Sequence, residues 1–252
     1  MLRELIARVS QGHRTGGFPN HAPVLSERFR GRPRIQDTPC PDGCQACVAA
    51  CPARAVEPHR IDLGRCLFCG ACEDACPASV FRFGTEHRLA ALRRQDLVLE
   101  AGKEDRPAPI VLQDARALYG RSFRLRQVSA AGCNACEADA NVLGTLAFDM
   151  GRFGIEFVAS PRHADALLVT GPVSRNMALG LRKTWDATPD PKFVIACGAC
   201  AISGGVFEGN DEILGGASAV VPVDLWVPGC PPNPYTLLDA LLRFVGILPD
   251  PR

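Results

Sequence analysis

The stretch Cys66-Leu-Phe-Cys69-Gly-Ala-Cys72-Glu-Asp-Ala-Cys76-Pro77 decides how the first half of the chain is read. Three cysteines spaced two residues apart put three thiolates on one tight loop, and a fourth stands three residues further on, directly before proline. Thiolates so spaced reach three irons of a four-iron cube, and the fourth iron needs a ligand from elsewhere. About 25 residues earlier stands a near copy, Cys40-Pro-Asp-Gly-Cys44-Gln-Ala-Cys47-Val-Ala-Ala-Cys51-Pro52, in which Cys51-Pro52 answers Cys76-Pro77. Two units make a duplication and not a solenoid. The copy holds one extra residue between Cys40 and Cys44, within a Pro-Asp-Gly sequence that a loop absorbs as a tight bend. Cys40 is therefore the ligand that the spacing supports least.

The second run matches the bacterial ferredoxin pattern C-x2-C-x2-C-x3-C-P, and the pair of runs resembles a two-cluster ferredoxin, in which the cysteine before each proline crosses to the partner cluster. The resemblance implies one [4Fe-4S] cluster on Cys40, Cys44, Cys47 and Cys76, and a second on Cys66, Cys69, Cys72 and Cys51. A disulfide framework does not fit cysteines packed so closely in a chain that no apolar signal segment opens. Structural zinc uses paired C-x2-C units, but it needs four ligands and not eight. A zinc-binding interaction module with a flavodoxin-like partner-binding domain is the rival from another class.

With 252 residues, 47% of them hydrophobic, the chain is long enough for more than one domain. A net charge of +1 argues against a nucleic-acid role. The charge is uneven: up to Gln36, Arg3, Arg8, Arg14, Arg28, Arg30, Arg32 and Arg34 face only Glu4 and Glu27. This basic leader reads as a solvated tail, or as a segment that docks on an acidic partner or membrane surface. Leu2, Leu5, Ile6 and Val9 share one face of a short amphipathic helix, a kind that more often packs on protein than on lipid. No run approaches the roughly 18 to 20 apolar residues of a membrane span, and no secretory or twin-arginine pattern is present. The expectation is a soluble chain in the reducing cytoplasm.

The organisation expected is a basic leader (1–36), a ferredoxin domain (37–84), a charged helical connector (85–121) and an α/β domain (122–252). In the last, apolar runs at 123–128, 155–159, 166–170, 193–197 and 219–223 read as strands of a largely parallel sheet, with helices at 135–150, 174–186 and 235–245. Five cysteines remain there: Cys133, Cys136, Cys197, Cys200 and Cys230. Each stands where a strand is expected to end and a loop rich in glycine or proline to begin. In doubly wound sheets such loops converge on one edge, so distant thiolates meet, and four of them complete a third cube. Nearby glycines let the backbone approach the sulfurs.

The matching stretches Gly132-Cys-Asn-Ala-Cys-Glu137, Phe157-Val-Ala-Ser-Pro-Arg-His-Ala-Asp165, Leu168-Val-Thr-Gly-Pro-Val-Ser-Arg-Asn-Met177, Ala199-Cys-Ala-Ile-Ser-Gly-Gly-Val-Phe207 and Val227-Pro-Gly-Cys-Pro-Pro-Asn-Pro234 carry a family resemblance. From 121 to 248 the chain resembles the small, cluster-bearing subunit of formate hydrogenlyase and the energy-converting [NiFe]-hydrogenases, relatives of a complex I subunit. The first half resembles the ferredoxin-type subunit of the same complexes. The fold so implied is an α+β two-cluster ferredoxin domain followed by a flavodoxin-like α/β domain. The resemblance assigns the proximal [4Fe-4S] ligands to Cys133, Cys136, Cys200 and Cys230, three clusters in all, and leaves Cys197 as a small buried hydrophobe. Complex I subunits of this type have adjacent cysteines at the first ligand site, whereas Asn134-Ala135 separates Cys133 from Cys136 here, which favours the hydrogenase side. The implied partners are a [NiFe]-hydrogenase-like or complex I-like large subunit, membrane subunits, and a formate dehydrogenase or ferredoxin donor. The chain would then lie on the cytoplasmic face of the membrane through those partners.

Glu137 and Asp139, which follow the proximal ligands, read as helpers of protons or of an interface, or as solvated or helix-capping acids. His13, His21, His59, His87 and His163 show no metal-ligand spacing, and no P-loop or dinucleotide fingerprint occurs.

Overall fold

The computed structural model describes residues 2–12, 15–103, 107–111, 115–119 and 121–249. His13 and Arg14 of the leader lie outside them. Ten strands are present among the described residues: β1 (Pro33–Ile35), β2 (Val56–Glu57), β3 (Arg60–Asp62), β4 (Phe81–Phe83), β5 (Val98–Glu100), β6 (Phe123–Ser129), β7 (Ile155–Phe157), β8 (Ala166–Thr170), β9 (Phe193–Cys197) and β10 (Leu225–Val227). The helices are α1 (Leu2–Gln11), α2 (Ala46–Ala50), α3 (Ala71–Ala75), α4 (Ala115–Tyr119), α5 (Ala135–Val142), α6 (Arg175–Ala187), α7 (Ala199–Ser203) and α8 (Pro234–Phe244).

The second half is built on a five-stranded parallel sheet in the order β10-β9-β8-β6-β7. Numbered within the domain that order is 2-1-3-4-5. The central strands β8 and β9 are buried almost end to end, as strands covered on both faces are. On β6 the apolar residues Phe123, Leu125 and Val128 are buried while Arg124 and Ser129 are exposed. One face carries α8, whose Leu237, Leu238, Leu241, Leu242 and Phe244 are buried in a core with Phe123, Leu125 and Ile155. Each such side chain contributes about 1.5–3 kcal/mol by leaving water. The other face carries the ferredoxin half: Cys47, Cys66, Cys72, Ile61 and Phe81 share one core with Val128, Leu167, Val169 and Trp226.

Two small antiparallel sheets complete the first half, β1 with β4 and β2-β3-β5. The stretch 85–121, expected as a helical connector, is built differently. Only α4 (Ala115–Tyr119) is α-helical among its described residues; Val98–Glu100 is a strand that pairs with β3, Arg94–Leu97 is a 3-10 turn, and Ala91 bridges to Trp226 of β10. The last sheet strand is also displaced from the expected 219–223. Ala217–Ala219 forms a 3-10 turn and pairing begins only at Leu225, after Asp224 has bonded Val194 through both its backbone and its carboxylate. Pro222 has no N–H to give a ladder. Helix α5 stops at Val142, short of 150, before Gly144, and the chain turns back so that Met150 N–H meets Leu143 O at 2.9 Å.

The leader is not a solvated tail from Gly16 onward. Gly16 N–H bonds Ala147 O at 2.7 Å, Phe18 is buried, and Arg32 N–H bonds Glu86 O at 2.8 Å, which straps the segment across both halves. Helix α1 differs: Leu2, Leu5, Ile6 and Val9 are all exposed, so its apolar face packs on nothing among the described residues. None of the described helices is long and apolar enough to cross a membrane.

Candidate metal centres

The duplication seen in the sequence is a duplication of geometry. Cys51 and Cys76 close α2 and α3 with the same backbone angles, φ −84 and ψ 108, and each N–H returns to the carbonyl three residues back. Ala55 N–H points at Cys51 Sγ at 3.2 Å and Val80 N–H at Cys76 Sγ at 3.3 Å. Such bonds hold a sulfur in place and favour its charged form. The proline after each cysteine starts the turn that brings these amides round. The extra residue of the first run is taken up by a turn in which Cys44 N–H bonds Pro41 O at 3.0 Å, with Gly43 at φ 66.

The thiols of the two runs are neighbours across the runs as well as within them. Cys51, Cys66, Cys69 and Cys72 line one cavity under Phe83. Burial, opposed by the Phe68 amide and reinforced by Cys72, Cys51 and Cys69, pushes the Cys66 thiol up to about 12. Burial together with Cys51 and Cys69 takes Cys72 to about 12. Cys47 is raised by burial and then by Cys76, with Cys40 a smaller contributor. Cys76 thus stands with the first run and Cys51 with the second. Cys44 is half-buried on the loop beside them.

The third set forms at the C-terminal edge of the parallel sheet, where β6, β9 and β10 deliver Cys133 and Cys136, Cys200, and Cys230. Cys200 is pushed up to about 12 by burial and by Cys230, Cys136 and Cys133. Cys230 is raised by burial, Cys136 and Cys133. The backbone approaches these sulfurs closely. A Cβ at Gly198 would stand 2.5 Å from Cys136 Sγ, and one at Gly205 would stand 2.8 Å from Cys200 Sγ. Both glycines have positive φ, 91 and 59. Cys197, fully buried at the end of β9, sits against Cys136, and its thiol with burial holds Cys136 well above the ordinary thiol range.

Thiols that raise one another by crowding, cradled by glycine and by N–H groups aimed at sulfur, fit iron-sulfur cubes, whose cationic irons offset that repulsion. Among the described residues no three Cys, His, Asp or Glu side chains converge on one point as the donors of a single ion do. Of the histidines described, His21 and His163 are exposed, His59 Nε2 lies 2.8 Å from Thr38 O, and His87 is mostly buried.

Several residues that shape the sites carry no spacing signal. Glu137 is buried, not solvated, and accepts from Ser129 Oγ at 2.6 Å and Thr170 Oγ1 at 2.7 Å. Burial alone would raise its carboxyl, but these hydroxyls hold it below the usual carboxylate range. Asp139 is raised by burial. Glu208, just beyond the Cys200 loop, pairs with Arg65, the neighbour of Cys66, at 2.5 Å. Ser203 Oγ donates to Gly64 O at 3.1 Å. These ties join the second thiol set to the third, and no motif announces them.

A family model described as NADH ubiquinone oxidoreductase, 20 Kd subunit, matches residues 133–244, and one described as 4Fe-4S binding domain matches 59–82. Formate hydrogenlyase subunit 7 of Escherichia coli is 44% identical over 128 residues, 51% of this chain and 50% of that protein. This chain therefore spans half the length of that relative. An NADH-quinone oxidoreductase subunit from a Nocardioides species is 42% identical over 143 residues, 56% of this chain and 77% of the relative. A probable membrane-bound hydrogenase subunit of Pyrococcus furiosus is 42% identical over 123 residues, 49% and 74% of the two chains. The α/β half, with its cysteines at the sheet edge, makes this chain a member of the NADH ubiquinone oxidoreductase 20 Kd subunit family of oxidoreductase subunits, with a 4Fe-4S binding domain joined ahead of it.

Proposed function

We propose that the chain is the electron-transfer subunit of a membrane-associated formate hydrogenlyase-type or energy-converting [NiFe]-hydrogenase complex. It relays electrons through three [4Fe-4S] clusters to or from an active site in a partner large subunit. The clusters supply one-electron carriage; the protein supplies ligands, burial and bonds to sulfur, which set whether each hop runs downhill. The ligands are Cys40, Cys44, Cys47 and Cys76; Cys66, Cys69, Cys72 and Cys51; and Cys133, Cys136, Cys200 and Cys230. The observation that carries the reading is the groove of about 270 Å³ in which Leu67 and Phe68, between Cys66 and Cys69, meet Cys230. It supports a wire in which the second set stands next to the third, and the crossing of Cys51 and Cys76 supports placing the first set before the second.

The strand order 2-1-3-4-5 supports a flavodoxin-like reading of 122–252. We divide the remainder as a leader (1–36), a ferredoxin domain (37–84) and a connector (85–121) whose β5 belongs structurally with the ferredoxin half. The similarity to the Nocardioides NADH-quinone oxidoreductase chain favours a second reading, the same wire ending at a quinone or in a nickel-free relative. In either case the chain would sit on the cytoplasmic face of the membrane through membrane subunits, supplied by a formate dehydrogenase or ferredoxin donor.

The test is anaerobic isolation of the tagged chain with its partners, followed by assay of iron, acid-labile sulfide, zinc and nickel. About twelve irons per chain, four per cube, with nickel in a copurifying large subunit support the hydrogenase wire. Iron without nickel moves the reading to the quinone-linked or nickel-free relative. Zinc without sulfide rejects electron transfer.

A further inference from the structure

The strapped leader carries a positive charge onto the second thiol set. Gly31 N–H bonds Gly84 O at 2.8 Å, Arg32 N–H bonds Glu86 O at 2.8 Å, and β1 pairs with β4, so the backbone here is fixed. Arg30 lies immediately before this anchored stretch. Its guanidinium rests on Gly70: a Cβ added there would stand 2.6 Å from Arg30 Nε, 3.0 Å from Cζ and 3.2 Å from Nη2. Gly70 sits between Cys69 and Cys72 and opens α3 with φ 84. Arg30 also lines the groove shared by Phe68 and Cys230. Among the described residues it forms no ion pair within 4 Å, and the groove it lines also holds Arg28 and Asp139.

Resting on the electron-wire reading above, we propose that Arg30 sets the potential of the cluster held by Cys51, Cys66, Cys69 and Cys72, holding it more readily reduced than its thiolates alone would make it. The physical reason is simple. One electron arriving from the neighbouring cluster adds one negative charge, with no bond made or broken, and a cation resting on the loop between Cys69 and Cys72 stabilises the reduced form. An arginine serves this better than a lysine or histidine because it stays charged at every working pH, and its flat head can lie on bare backbone. Glycine at position 70 is what leaves room for it. The strap thus acts as an electrostatic element of the wire.

The experiment is a redox titration of the whole complex, isolated anaerobically with its partners and followed by EPR, for wild type, Arg30→Gln, Arg30→Lys and Arg34→Gln. In Arg30→Gln the reduced-to-oxidised ratio of one cluster at fixed poise is expected to fall about tenfold, which is about 59 mV for a one-electron couple. Arg30→Lys should stay within about threefold of wild type, and Arg34→Gln, an exposed charge on the same strap, should leave all midpoints in place. Because Arg30 reaches solvent, the wild-type midpoint of that cluster should also fall as ionic strength rises from about 0.01 M to about 1 M, where the Debye length shrinks from roughly 30 to 3 Å. Unmoved midpoints in Arg30→Gln, an equal shift in Arg34→Gln, or a wild-type midpoint indifferent to salt each overturn the assignment. Where Arg30→Gln does not assemble, the salt arm still overturns the assignment if the wild-type midpoint does not fall. A wild-type complex without iron-sulfur signals rejects the wire itself, which is a different result from signals that do not move.

Discussion

On the proposed three-cluster assignment, Gly198→Ala is expected to cost the chain the cluster assigned to Cys133, Cys136, Cys200 and Cys230 and leave the other two in place. Gly198 has φ 91 and ψ 157, a region that costs residues other than glycine about 1–3 kcal/mol. The contact matters more. The new Cβ would stand 2.5 Å from Cys136 Sγ, so the sulfur must shift by about 1 Å, roughly twice the ~0.5 Å within which a site's ligands have to be held. The backbone has no easy retreat, because Gly198 N–H bonds Val227 O and Ala199 N–H bonds Gly229 O, both at 2.8 Å. Iron and sulfide assays should fall from about twelve to about eight per chain, with one EPR signal missing. Gly215→Ala is the control: its φ is 83 but nothing lies within 4 Å of the added carbon, so it bears backbone strain without touching a ligand and should keep all three clusters. A full iron complement in Gly198→Ala would refute the reasoning that the glycine is there to admit the sulfur.

Other substitutions separate ligands from neighbours. Cys40→Ser should remove about four irons, whereas Cys197→Ala should keep them all and lower stability by about 1 kcal/mol for the small void left at a fully buried site; twelve irons in the first variant would release Cys40 from the ligand set. Glu208→Gln breaks the 2.5 Å pair with Arg65, whose side chains are 36% and 28% exposed. The stability cost should stay below about 1 kcal/mol, while the magnetic interaction between the second and third clusters weakens; an identical EPR spectrum would show that the pair does not set their spacing. His87, among Glu86, Arg88, Asp239 and Arg243, is held below its usual 6.5 chiefly by burial, partly countered by Asp239. The unfolded chain therefore binds the proton first as pH falls through 6.5, so stability should drop with acidification below that value. His87→Phe should flatten melting temperature between about pH 7 and pH 5, and an unchanged slope would place the acid sensitivity elsewhere.

The cysteine runs were legible because cluster ligation imposes a local spacing, C-x2-C steps and a cysteine before proline, that other uses of cysteine seldom combine, and the sheet was legible wherever burial on both faces made a strand continuously apolar, as in Ala166–Thr170 and Phe193–Cys197. The run at 219–223 looked the same but contains Pro222, and the ladder formed two residues beyond it at Leu225. Residues 85–121 were read by charge as helical, whereas Leu99 found its place opposite Ile61, a pairing that tertiary context decides and local propensity does not. The leader misled for a similar reason. Its arginines suggested solvent, yet Phe18, Gly31 and Pro33 had positions waiting on strands and loops far along the chain. Glu208 and Arg30 act through contacts between distant segments, and a single sequence contains no period or spacing that would reveal them.

The strap also bears on the order in which the molecule can be made. Arg152 bonds the carbonyl of Phe18 across 134 positions of sequence, so the front of the leader cannot settle until Arg152, early in the α/β half, has left the ribosome. At roughly 5–20 residues per second, that is a wait of about 7 to 27 seconds after Phe18, during which both cysteine runs have been synthesised and the segment around Phe18 is still loose. The chain thus leaves a window in which iron and sulfide can be delivered to the first two sites before that end of the strap is fastened.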